Sequence, residues 1–179
     1  MDNNIILKAA HFAAQKHRDQ RRKDEDSSPY INHPIKVALI ISDIGKIQDT
    51  EIIAAALLHD TIEDTNTKPE ELEELFGTRI RKLVEEVTDD KTLNQLERKK
   101  RQVEHAAELT EDAILIKLGD KIANVMDVTN TPPKYWTKDR RSKYFDWAEA
   151  VINNCSKTNP LLEDYFRKIL REGRKKLIT

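Results

Sequence analysis

Apolar positions recur along this chain at the three- and four-residue spacing of helices that bury one face, and no convincing period-two strand accompanies them. Ile5, Ala9, Phe12 and Ala13 define a first helix over about residues 4–17. Pro34, in the position proline favours at a helix start, opens a second that runs to Ile44 and stops at Gly45. Asp49 caps a third, which carries the unbroken apolar run from Ile52 to Leu58. Thr67-Lys68-Pro69-Glu70 starts another, ended by Gly77 after Phe76. Ile80, Leu83, Val84 and Val87 mark the next, broken by Thr88 to Thr92, and 96–107 follows. Glu111 and Asp112 open a long helix with Ile114, Leu115, Leu118, Ile122, Val125 and Met126 on its apolar positions. A loop from Thr129 to Trp136 separates it from a helix carrying Tyr144, Phe145, Ala148, Val151 and Ile152. The last helix starts at Asn159-Pro160, buries Leu162, Tyr165, Phe166 and Ile169, and ends before Gly173. Only Ile114 to Lys117 is ambiguous with a strand, so the expectation is an all-α bundle.

The pattern is violated most sharply where the apolar run meets His59-Asp60, with Glu63-Asp64 one turn later. Polar, titratable groups at the end of a buried run cost free energy unless they are paired or bind a cation. If the helix continues through Asp64, His59 lies over Glu63 and Asp60 over Asp64, because residues four apart share a face. An adjacent His-Asp is more often a surface or capping feature than a ligand pair. Two further breaks in the pattern change that balance. His33 sits at the entrance of a helix, where a cap or surface role is the ordinary reading, but where it also reaches a neighbouring helix end. Asp120 lies between Leu118 and Ile122 in a mostly apolar helix. Either it forms a buried ion pair with Lys117 or Lys121, or it is a metal ligand, with Asn124 one turn on along the same face. His33, His59, Asp60 and Asp120 make a mixed nitrogen and oxygen set drawn from three helices. That set fits a mononuclear Mn²⁺ or Fe²⁺ centre with positions left for water and a phosphate oxygen, and Zn²⁺ is compatible with it.

Bulk properties narrow the function classes. The chain has 179 residues, which suits one domain with a sizeable core and leaves no room for a second catalytic domain. Charged residues are 35% and hydrophobic ones 38%, the balance of a soluble, highly charged globular protein. A net charge of -1 creates no global field for nucleic acid or a membrane surface. Cys155 is the one cysteine, so no internal disulfide and no cysteine zinc site can form. No secretory leader pattern and no membrane-length apolar run are present, and the expected location is cytoplasmic. Local cation clusters remain: Arg21-Arg22-Lys23 has a solvated-surface reading and a phosphate-clamp reading, and Glu97 to Arg101 reads as a solvated face that could border an anion. Tyr144 reads as core, and His105 has no evident role.

A His, then His-Asp, then a distant Asp resembles the HD phosphohydrolase superfamily. Arg21-Arg22-Lys23-Asp24, Pro29-Tyr30-Ile31-Asn32-His33-Pro34, Leu57 to Thr65 and Val87 to Lys91 are similar to the hydrolase domain of RelA/SpoT enzymes. The resemblance runs from Ile5 to about Leu177 and is to the stand-alone small alarmone hydrolases, close to the metazoan SpoT homologues. It implies an all-α HD-domain bundle. It implies one Mn²⁺ held by His33, His59, Asp60 and Asp120, with Glu63 and Asp64 as the catalytic acids. It further implies that Arg22 and Lys23 contact a nucleotide whose pocket Asn124 and Tyr144 line. The implied reaction removes the 3′-diphosphate of guanosine tetra- or pentaphosphate (ppGpp or pppGpp), and the 2′-phosphate of NADPH is a second implied substrate. Gly119 stands where the metazoan relatives carry alanine, Ile122 to Val125 reads Ile-Ala-Asn-Val rather than a Leu-x-Asn-Leu pattern, and Gln95 stands where a basic residue would help hold phosphate, departures in the pocket wall rather than in the metal set. The rivals are an HD-type 5′-nucleotidase, a non-catalytic nucleotide sensor and a purely structural helical module. The sequence leaves the oligomeric state open.

Overall fold

The computed structural model describes residues 3–178, and the side chain of Asn3 lies outside that description. Its helices are α1 (Asn3–Lys16), α2 (Asn32–Leu39), α3 (Thr50–Leu58), α4 (Thr61–Asp64), α5 (Pro69–Phe76), α6 (Thr78–Val87), α7 (Gln95–His105), α8 (Glu111–Asn130), α9 (Lys138–Asn154) and α10 (Pro160–Ile178). A wider π turn, Ile40–Ile44, prolongs α2, and a 3₁₀ turn, Ala106–Glu108, follows α7. Among the described residues there is no strand, only one isolated antiparallel bridge between Arg21 and Pro29. The all-α expectation holds.

Two helices form the middle of the bundle. In α3, Ile52 and every residue from Ala54 to Leu58 are buried, as an all-apolar helix must be. Its start is fixed by Asp49, whose carboxylate accepts from the backbone N–H of Glu51 at 2.9 Å. α8 is buried from Ala113 to Gly119 and again over Lys121 to Ala123. α1, α2 and α6 pack on α3; α2, α6, α9 and α10 pack on α8. Since α2 touches both, its N-terminus, the C-terminus of α3 and the middle of α8 meet at one place.

Two glycines set how closely these helices approach. A Cβ on Gly119 would sit 2.8 Å from Ile41 Cγ1 and 3.1 Å from Val37 Cγ1, so the missing side chain lets α8 lie against α2 beside Asp120. Gly173 corrects the sequence reading. It is not past the end of the last helix but inside α10. There a Cβ would meet Thr129 Oγ1 at 2.6 Å and Phe145 Cζ at 2.9 Å. Its role is close crossing over α8 and α9, which a scan for helix terminators misreads as a stop. α8 likewise runs on to Asn130, two residues into the expected loop. No helix among the described residues is long and apolar enough to cross a membrane.

Candidate functional site

The helix carrying His59-Asp60 does not continue through Asp64. α3 ends at Leu58, His59 and Asp60 form a turn, and a separate single turn, α4, carries Glu63 and Asp64. The carbonyls freed at that break find partners at once. His59 Nδ1–H donates to the Ala56 carbonyl at 2.7 Å, and Thr61 Oγ1–H to that of Leu58 at 2.6 Å. The capping reading of His59 is therefore correct as far as Nδ1 goes. With Nδ1 occupied, Nε2 is the nitrogen that faces inward, and it is buried without a hydrogen-bond partner.

Into the same point come groups from the other two helices. His33, expected at a surface or capping position, is only 3% exposed. Its Nε2 lies 3.2 Å from Asp120 Oδ1 and 3.7 Å from Asp60 Oδ2. His59 Nε2 lies 3.1 Å from Asp60 Oδ2 and 3.9 Å from Asp120 Oδ1. The ligand atoms of His33, His59 and Asp60 all fall within 4.8 Å of one another. Two imidazole nitrogens, one of them the orphaned Nε2 of His59, and two carboxylates are the donor set of a divalent-cation site.

The electrostatics fit that reading. Burial pushes the pKa of His33 down, and its carboxylate neighbours only partly oppose this. Burial also works against a charged His59, yet Asp60 and Asp120 outweigh it and raise its pKa to about 9. Without a cation, a proton on His59 takes the place of the missing positive charge. Burial alone would raise both carboxylates, but Asp60 is held low by the two histidines, and Asp120 by Lys121 and the histidines.

Asp60 and Asp120 each have a further partner outside the cluster, whereas His33 Nδ1 is buried with none. Tyr30 O–H donates to Asp60 Oδ2 at 2.6 Å. Asn124 Nδ2–H donates to Asp120 Oδ1 at 2.5 Å, and Lys121 Nζ–H to Asp120 Oδ2 at 3.1 Å. The ion-pair reading of Asp120 holds for Oδ2, which meets Lys121, while Oδ1 faces the two histidines. Lys121 is itself clamped, with Nζ 4.4 Å from the centre of the Trp147 ring.

The cluster lies in a cleft of two adjoining chambers, about 300 and 500 Å³. Both share Arg22, Tyr30, His33, Asn124, Trp136 and Tyr144 as walls. The smaller holds His59, Asp60, Glu63, Asp89 and Asp120, and its wall also carries the cations Arg98, Lys99, Lys117 and Arg140. Burial and the cations Arg140 and Lys121 push the pKa of Lys99 down. Such a wall attracts anions. Aromatic rings back it: Trp136 and Tyr144 have centroids 5.5 Å apart, and Tyr144 and Trp147 5.4 Å. The larger chamber is lined by Gln20, Arg21, Lys23, Lys36, Asp64 and Asp127.

A family model described as "HD domain" matches residues 9–144. The chain belongs to the HD-domain family. An HD-domain protein of Xenopus tropicalis, guanosine-3′,5′-bis(diphosphate) 3′-pyrophosphohydrolase MESH1, is 52% identical over 162 residues, 90% of each chain. The Homo sapiens protein of the same name is 48% identical over 93% of each chain. A solved structure described as a metazoan SpoT orthologue that hydrolyses ppGpp and plays a role in starvation responses superposes with a TM-score of 0.92 at 44% identity. That match covers 96% of this chain and 97% of the other.

Within this HD-domain frame, the sequence-predicted residues divide. His33, His59, Asp60 and Asp120 converge. Glu63 lies in their chamber and Asp64 in the neighbouring one. Asn124 and Tyr144 line both, so Tyr144 is wall as well as core. Lys23 is exposed on the rim of the larger chamber. Arg22 is held between them, donating to Asp127 Oδ2 at 2.8 Å and Asn124 Oδ1 at 3.1 Å. The run Glu97 to Arg101 splits by helical phase: Arg98 and Lys99 enter the chamber wall, while Lys100 pairs with Glu104 at the surface. The sequence reading missed Gln20, Lys91, Trp136, Arg140 and Trp147. A bulky aromatic beside a cation one turn away, as in Trp136 and Arg140, is the signal that could have found two of them.

Proposed function

We propose that this chain is a metal-dependent phosphohydrolase that cleaves guanosine 3′,5′-bis(diphosphate) and its pentaphosphate analogue at the 3′ position, releasing pyrophosphate and GDP or GTP. The observation that carries the reading is the convergence of His33, His59, Asp60 and Asp120 beside an acid pair in a cation-walled cleft, in a chain half identical to relatives named for that reaction. In this reading the ligands hold one Mn²⁺. A divalent cation in that position polarises a water and neutralises charge on the phosphoryl oxygens.

Glu63 is the general base. Burial, then Asp89 and Asp60, raise its pKa to about 7, where a carboxylate is basic enough to take a proton from water and a substantial fraction is ionised at neutral pH. Its Oε2 accepts the Asp89 backbone N–H at 3.1 Å, which fixes the carboxylate's orientation. Asp64 pairs with Lys91 and orients the same water from the side of the other chamber. Arg22 and Lys23 hold the nucleoside end, with the guanidinium free to lie on a base once it leaves Asp127. Asn124 and Tyr144 wall the ribose, and Arg98, Lys99 and Arg140 receive the phosphates.

A second substrate, the 2′-phosphate of NADPH, is favoured by the two joined chambers, which offer length for a dinucleotide. The test compares release of pyrophosphate from guanosine tetraphosphate with release of orthophosphate from NADPH, each with Mn²⁺ and with chelator. Pyrophosphate release that chelator abolishes is expected. Turnover of neither substrate, with phosphate released from a nucleoside monophosphate instead, would replace this reading with a 5′-nucleotidase.

A further inference from the structure

His17 is buried, comes just after α1, and has no part in the chemistry above. Its Nδ1 meets Gln20 Oε1 at 2.6 Å. Gln20 Nε2 in turn donates to Asp64 Oδ2 at 2.9 Å. A carboxylate can only accept, so the amide must turn its NH₂ toward Asp64 and its carbonyl toward His17. His17 Nδ1 must then carry the hydrogen. The other ring nitrogen, Nε2, is buried with no partner, so the ring is held by its Nδ1 bond and by packing. That packing is against Tyr30, with ring centroids 4.8 Å apart.

We propose that His17 and Gln20 form a positioning relay for Asp64. His17 fixes which way the Gln20 amide faces, and the amide fixes Asp64 Oδ2, while Lys91 holds Oδ1. Were the amide to turn over, Gln20 Oε1 would face the carboxylate oxygen and repel it. Its Gln20–Asp64 bond joins residues 44 apart in the chain and ties the turn after α1 to α4. It rests on the reading of Asp64 as part of the hydrolytic machinery.

The test uses the full-length, Mn²⁺-loaded protein acting on guanosine tetraphosphate, with Asp64→Asn as the reference. His17→Phe keeps the ring against Tyr30 and deletes the Nδ1 donor. His17→Asn restores an N–H near the place of Nδ1. His17→Phe and Gln20→Ala are each expected to lower kcat about tenfold, the usual scale for outer partners of a site, with KM and Mn²⁺ affinity unchanged. His17→Asn regains most of kcat, and the double variant His17→Phe/Gln20→Ala is no slower than Gln20→Ala alone, because both act on one bond. An inactive Asp64→Asn together with wild-type kcat in His17→Phe and Gln20→Ala overturns the relay and leaves Asp64's role standing. Full activity in Asp64→Asn overturns both. If His17→Phe does not fold, Gln20→Leu, which keeps bulk and removes the amide, decides: unchanged kcat overturns the relay.

Discussion

Glu63 and Asp64 are neighbours in the chain and both carboxylates, but the single turn of α4 sends them into different chambers with opposite surroundings. Glu63 faces Asp89 and Asp60 in a largely buried position, with Arg98 no nearer than 3.7 Å, and its pKa is raised to about 7. Asp64 faces Lys91 on one oxygen and the Gln20 amide on the other. One acid is therefore poised to exchange a proton near neutrality, and the other is held between two hydrogen-bond donors. Local sequence assigns them equal chemistry. The difference arises from residues 26 and 44 positions away, brought in by the α6–α7 connection and by the turn after α1.

The largest effect should come from removing what the two acids share. Asp60→Ala, measured for bound Mn²⁺ and for turnover, should lose both, with kcat falling about 10³-fold or more as several kcal/mol of charge stabilisation disappear. Retained metal and activity would show that the cluster is only a buried ion-pair network.

Glu63→Gln separates the acids themselves. A positioned base contributes about 10²–10⁴-fold, and kcat should fall by that range. A base works only when ionised, so wild-type kcat rises with pH through the Glu63 pKa. That limb lies at or below about 7, since a bound cation beside Asp60 pulls the value down from its metal-free position. Glu63→Gln should erase the limb in the pH–rate profile. Asp64→Asn should slow turnover and leave the limb in place. The reverse pattern would exchange their roles.

Gly119→Ala disturbs the frame under both acids equally. The new Cβ would press on Ile41 Cγ1 at 2.8 Å in a filled core, and overpacking of this kind costs about 1–3 kcal/mol in denaturant unfolding.

Metal binding displaces the proton that His59 otherwise holds. Below its pKa of about 9, Mn²⁺ affinity should strengthen about tenfold per pH unit, and calorimetry in buffers of different ionisation enthalpy should record one proton released. The sign is fixed, because a raised histidine pKa favours the metal-free protonated state at low pH. The smallest effect belongs to Lys91→Met. Lys91 is 47% exposed, so its pairing with Asp64 is screened, and kcat should fall about fivefold at most. A larger loss would mean that Asp64, too, depends on its charge environment.

Much of the fold was legible before any coordinates. Helical spacing located every helix but α4, which it treated as a continuation of α3, because each of the others buries a face whose apolar positions repeat locally; Asp49, Pro34 and Gly45 mark ends by chemistry confined to one turn. Gly173 was misread for the converse reason: its purpose is contact with Thr129 and Phe145, which no local pattern contains. The same division holds for the site. His33, His59, Asp60 and Asp120 stood out as polar groups interrupting apolar stretches, so the sequence by itself determined the donor types and the presence of an acid pair. Only the tertiary structure decided that His59 spends Nδ1 on Ala56 and keeps Nε2 for the cluster, that Lys121 takes the other oxygen of Asp120, that the pKa of Glu63 is raised, and that Asp64 is held by Lys91 and Gln20. Hydrophobic periodicity is a property of neighbours in the chain. Hydrogen-bond direction and pKa depend on distances of a few ångströms between helices far apart in sequence.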